Sequence, residues 1–90
     1  MHVIVRFFAS YREIAGSREM RLELKDGATL RTLLDSIYAK HPSLRTLEET
    51  TLLAVNQEFA SPTVTIHDGD EIALMPPVSG GAPMIAIQRK

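Results

Sequence analysis

Val3, Val5 and Phe7 alternate with His2, Ile4, Arg6 and Phe8 at the start of the chain, the period-2 pattern of a strand with one face in a core. The second face is only half polar. Over residues 9–15 the period changes. Tyr11, Ile14 and Ala15 fall at i, i+3 and i+4, with Ser10 available as a cap and Gly16 as a stop, which predicts a short helix. Residues 18–24 alternate again, Met20, Leu22 and Leu24 against Arg21, Glu23 and Lys25. A strand wet on one side belongs near a sheet edge, and Asp26-Gly27 then turns the chain.

The clearest periodic element follows. Leu30, Leu33, Leu34, Ile37 and Tyr38 lie at i, i+3, i+4, i+7 and i+8 and form the apolar stripe of an amphipathic helix. Thr29 is the expected N-cap, and His41-Pro42 marks the end because the residue before a proline avoids the α region. Residues 44–51 read as a connector, with Leu44 and Leu47 as anchors, Glu48-Glu49 in water, and no regular structure beyond a turn. Leu52-Leu53-Ala54-Val55 suits a buried strand, and Asn56-Gln57 suggests a turn into a brief second strand over residues 58–60. Ser61-Pro62 ends that piece, and residues 63–67 are β-branched enough to add a few extended positions.

Asp68-Gly69 is a tight-turn signal, and Ile72-Ala73-Leu74-Met75 is short and apolar enough for a central strand. Pro76 and Pro77 stop it, since neither has an N–H for a sheet ladder and each fixes its own φ. The succession of strand, short helix, strand, long helix and several short strands predicts an α+β roll. With the first and last strands adjacent in the centre of a mixed sheet and one main helix, this is the β-grasp, ubiquitin-like architecture. After the prolines come Val78-Ser79-Gly80-Gly81 and then residues 82–90. The Ser-Gly-Gly run carries almost no side-chain bulk and suits a narrow channel in another protein, where a Cβ would clash.

Ninety residues make one small domain: residues 1–81 as the folded domain with its tail, residues 82–90 as an extension. The net charge of -1 with interspersed signs gives no basic stripe, which argues against a nucleic-acid partner. No cysteine is present, so disulfides, thiolate nucleophiles and Cys-based zinc sites are excluded. No apolar run approaches the ~20 residues of a membrane-spanning helix, and a cytoplasmic protein is expected. His2, His41 and His67 lie far apart without carboxylates at ligand spacing, so no metal site is expected and solvated side chains are the default. Asp68 and Asp70 are expected as turn formers because the later ligands of a calcium loop are missing.

Strand alternation also predicts a surface. Phe8 and Met75 fall on the opposite faces of their strands from Val5, Phe7, Ile72 and Leu74, so a helix covering the second set leaves the first outside with Ile4 and Ala73. Such an apolar patch marks an interface, and Phe59 joins it if its strand pairs alongside. Arg6 and Arg12 could guide an acidic partner, although surface arginines are common.

The run from Asp68-Gly69-Asp70-Glu71 through Pro76-Pro77-Val78-Ser79-Gly80-Gly81 resembles the C-terminal signature of the MoaD/ThiS sulfur-carrier family. Arg6-Phe7-Phe8-Ala9 with Arg12-Glu13 and Gly16, and Leu53-Ala54-Val55-Asn56-Gln57, resemble it too, so the similarity covers residues 1–81. Pro-Pro-Val before the glycines and the short helix after the first strand favour the molybdopterin branch over the thiazole-forming one. The resemblance implies a carrier whose Gly81 carboxylate is adenylated with ATP by an E1-like activating enzyme and converted to a thiocarboxylate, with Gly80 letting the end thread. It implies docking through Phe8, Phe59, Met75, Pro76, Pro77 and Val78 onto the large subunit of molybdopterin synthase, which would own the catalytic groups, and no cofactor bound to the carrier itself. Family carriers usually end at the second glycine, whereas here Ala82 follows. A processing protease, a link to a fused domain, or loss of the chemistry would each account for that. The alternatives in function are a ubiquitin-like binding or conjugation module and a sulfur carrier for another pathway such as thiamin.

Overall fold

The computed structural model describes residues 1–77. Five strands form one mixed sheet in the order β2-β1-β5-β3-β4. They are β1 (His2–Phe7), β2 (Glu19–Glu23), β3 (Leu52–Val55), β4 (Glu58–Phe59) and β5 (Glu71–Met75). The first and last strands run parallel at the centre, and the other pairings are antiparallel. The β-grasp topology expected from the pattern is thus the one observed, with β2 at an edge.

Helix α2 (Leu30–Lys40) lies on one face of the sheet. Its five stripe residues are buried and share one core with Val3, Val5, Phe7, Leu22, Ile72 and Leu74. Register explains the match. Val5 is opposite Ile72, Phe7 opposite Leu74, and Leu74 in turn opposite Leu53, so one layer of side chains runs across three strands under the helix. Thr29 caps α2 as expected, its side chain accepting from the Thr32 N–H.

Three local expectations are corrected. Helix α1 (Ser10–Ala15) begins at Ser10 itself. Ala9 occupies the cap position at φ 54 with no side-chain hydrogen bond, and the backbone carbonyls of Phe8 and Ala9 accept from Tyr11 and Arg12 instead. Residues 44–51 are not irregular. Pro42 opens a short helix α3 (Pro42–Arg45), its fixed φ suiting a first helical position, and a 3₁₀ turn follows over Glu48–Thr50. Glu48, expected in water, instead accepts from the Arg31 guanidinium. Residues 63–67 form only a single bridge, Thr29 with Thr65. The carbonyls of Pro62 and Val64 serve as acceptors for Arg31 and Leu30, N–H groups in the first turn of α2 that have no partner within their own helix.

Two of the three histidines are exposed, but His41 is half-buried and meets Phe7 edge-on at 6.3 Å between ring centroids. It is a packing residue rather than a solvated one.

Candidate functional site

The helix covers one face of the sheet, and the opposite face carries the candidate site. Register aligns two rows across it. Arg6, Ala73, Ala54 and Phe59 occupy one row. In the next, Met75 is opposite Leu52, and Phe8 stands beside this pair because its N–H donates to the Leu74 carbonyl at 3.2 Å. The spacing between neighbouring strands is ~4.8 Å, so the row from Arg6 to Phe59 spans about 14 Å from β1 to β4 and the row from Phe8 to Leu52 about 10 Å from β1 to β3.

Exposure separates the roles of these residues. Phe59 is 77% exposed and Phe8 40%, Met75 and Pro76 are half-buried, and Pro77 is exposed. Ala54, flanked in register by Ala73 and Phe59, is 4% exposed despite facing away from the core. The centre of this face is therefore low and methyl-lined, with the two phenylalanines standing at its sides. A partner surface set on it would bury aromatic area at both ends, which is where interface energy concentrates.

Among the sequence-derived site residues, Phe8, Phe59, Met75 and Pro76 thus gather on or next to one face, with Pro77 following. Val78, Gly80 and Gly81 lie outside the described residues, as does the extension at 82–90. Leu52 and Ala54 belong to the face but were not anticipated. Their alternation with Leu53 and Val55 is visible in the sequence, but β3 had to be known as the neighbour of β5 before that alternation meant anything.

The Asp68-Gly69-Asp70-Glu71 motif is architectural. Asp68 Oδ1 accepts from the His2 N–H at 2.7 Å, and the Gly69 N–H donates to the His2 carbonyl at 2.8 Å, with Gly69 at φ 85 where a side chain would be strained. Asp70 is buried. One carboxylate oxygen accepts from Asn56 Nδ2 at 2.9 Å and the other from the His67 N–H at 2.8 Å. Asn56 Oδ1 accepts from the Glu71 N–H at 3.0 Å. These bonds tie the start of β5 to β1 on one side and to the β3–β4 turn on the other. The register of β5 is fixed there, which determines where Met75 ends and where the tail departs.

The charged rim of the open face includes the Arg6–Glu71 ion pair. No helix among the described residues is long and apolar enough to cross a membrane.

Comparison with known proteins adds a family. Residues 5–81 match the ThiS family. The chain is 45% identical over 83 residues to a molybdopterin synthase sulfur carrier subunit of Chlamydomonas reinhardtii, covering 90% of this chain and all of that one. Among solved structures, small archaeal modifier protein 1 (SAMP1) of Haloferax volcanii superposes with a TM-score of 0.81 at 34% identity, over 90% of this chain and 100% of that one. A complex of subunits 1 and 2 of the molybdopterin-converting factor of Helicobacter pylori matches with a TM-score of 0.65 at 27% identity, over 90% of this chain and 100% of the matched one.

Proposed function

This chain belongs to the ThiS family, and from that membership we propose that it is a sulfur-carrier subunit of molybdopterin synthase whose working group is the carboxyl of Gly81. The observation that carries the reading is the position of β5. A central strand, locked at its start by Asp68 and Asp70, ends at Met75 beside an uncovered apolar face. From there the double proline leads toward Gly81, four residues beyond Pro77 and at most about 14 Å away when extended.

The chemistry follows from the weakness of a carboxylate as an acyl donor. On an E1-like adenylating enzyme, the Gly81 carboxylate attacks the α-phosphorus of ATP and expels pyrophosphate. A sulfur nucleophile then displaces AMP from the acyl carbon, leaving a thiocarboxylate. The open face docks on the large subunit, the tail enters its pocket, and the thiocarboxylate sulfur attacks an electrophilic carbon of the pterin precursor of the molybdenum cofactor, forming a C–S bond as the oxygen substituent on that carbon departs. Hydrolysis of the acyl link formed restores the carboxylate. The carrier's part is delivery: holding the sulfur at the reacting centre removes the entropic cost of a bimolecular encounter. Residues 82–90 must be removed before Gly81 has a carboxylate to activate, so a processing protease belongs to this reading.

Reconstitution tests it. The chain cleaved after Gly81, combined with activating enzyme, ATP, a sulfur donor, the large subunit and precursor, is expected to yield the sulfurated pterin. Gly81→Ala is expected to fold normally and lose that yield; full yield from the variant refutes the role of Gly81.

The similarity to a small archaeal modifier protein favours a second reading, conjugation of the Gly81 acyl group to an amine. Co-expression with the activating enzyme separates the two. An amide to a partner lysine supports conjugation, and a thiocarboxylate supports the carrier.

A further inference from the structure

Beside the open face lies a cleft of about 400 Å³ lined by Arg6, Phe7, Phe8, Arg12, Arg18 and Glu19. Its three guanidinium groups come from separate places in the chain: β1, α1 and the segment entering β2. They converge because the Phe7 N–H donates to the Arg18 carbonyl at 2.9 Å, which folds the start of β2 back against the end of β1, with α1 between the two in the chain. Only one carboxylate, Glu19, shares the lining. Arg6 is neutralised by Glu71. The side chains of Arg12 and Arg18 make no ion pair or hydrogen bond among the described residues. The fold does not use them.

The cleft and the apolar face share a wall, Phe8. A protein that covers Phe8, Met75 and Phe59 and takes the tail emerging after Met75 therefore also stands over Arg12 and Arg18. Two unpaired guanidinium groups at the edge of an interface favour a partner that brings opposite charge to meet them.

We propose that this cleft receives carboxylate side chains of the protein that docks on the open face, Arg12 and Arg18 each pairing with an acidic residue of that partner. The proposal rests on the docking role of the face given above. The pairs sit at the rim, so they act chiefly on encounter and orientation, bringing the partner down with the tail pointed at its pocket. In a chain with a net charge of -1, a local positive cleft also gives the approach a direction that overall charge does not.

The test is the association rate and affinity of the protein, as its host produces it, for the large subunit from the same host, measured across a salt series. Wild type is expected to bind faster at low salt. The double variant Arg12→Gln with Arg18→Gln is expected to associate about ten-fold more slowly at low salt and to lose most of the salt dependence, and circular dichroism checks that its fold is unchanged. Phe59→Asp is the companion variant and reports on the face alone. If Phe59→Asp weakens binding while the arginine variant matches wild type at every salt concentration, the cleft proposal is overturned and the docking face stands. If Phe59→Asp binds like wild type, or wild type does not bind, the docking role fails and takes the cleft proposal with it. Slower association of the arginine variant with unchanged salt dependence also overturns the proposal, because charge pairing requires both. Added inorganic phosphate at constant ionic strength is expected to leave the rates unchanged; selective inhibition would mark the cleft as a phosphate site instead.

Discussion

Tyr38 is the one buried side chain among the described residues with a polar atom lacking a hydrogen-bond partner. Its ring is 2% exposed and carries the Arg45 guanidinium 5.1 Å from its centroid. The ring therefore contributes packing and a cation–π contact, while the hydroxyl contributes only a desolvation cost. Tyr38→Phe keeps the ring and is expected to leave stability unchanged or raise it by up to about 1 kcal/mol at neutral pH in urea unfolding. Burial, with the charge of Glu48 adding to it, pushes the Tyr38 phenol above its ordinary 10.0. The unfolded chain then loses this proton first, so Tyr38 lowers stability as pH rises through 10 and on toward its folded value. Tyr38→Phe is expected to flatten that part of the pH–stability curve; an unchanged alkaline slope would contradict the assignment. Asp70 presents the opposite case, a buried carboxylate with both oxygens engaged. Asp70→Ala removes the acceptor for Asn56 and for the His67 N–H, and a loss of about 1–3 kcal/mol is expected.

At the scale of elements, the helix cap offers a graded test. The Thr32 N–H lies 3.4 Å from Thr29 Oγ1, a long bond, so Thr29→Ala is expected to cost about 0.5 kcal/mol, the low end for N-caps, by thermal or urea unfolding. The residues of α2 show why much of the fold was legible. Five apolar residues at helical spacing leave one face to bury, and the alternation in β1 and β5 leaves one face to receive it. Phe8 and Met75 could be assigned to the open face for the same reason, since period 2 settles both sides at once. Other features depend on partners distant in sequence. The β-branched run 63–67 carries strand propensity, yet the Val64 carbonyl, with that of Pro62 just before the run, is drawn to the free N–H groups at the start of α2. Pro42 reads as a stop for one helix and serves equally as the first residue of the next. Leu52 and Ala54 became part of the site only through the strand order, which no local pattern states. Arg18 escaped notice because its place beside Arg6 and Arg12 is set by a backbone hydrogen bond to Phe7.

The whole molecule divides its labour between its two faces and its end. One face of the sheet is spent on the core, and hydrogen bonds accepted by Asp68, Asp70 and Asn56 hold β5 in register. The other face leaves apolar residues uncovered, and β5 ends beside it at Met75; in the proposed function this face meets the partner that receives Gly81. In that function the domain serves to place a chain end, and its value depends on that end being chemically ready. The most direct measurement is the intact mass of the protein isolated from its native host. The account predicts a chain that ends at Gly81, with a fraction in which one terminal oxygen is replaced by sulfur. A native protein found only with residues 82–90 still attached, or cut at Gly81 but never carrying sulfur while the host makes molybdenum cofactor, would contradict it.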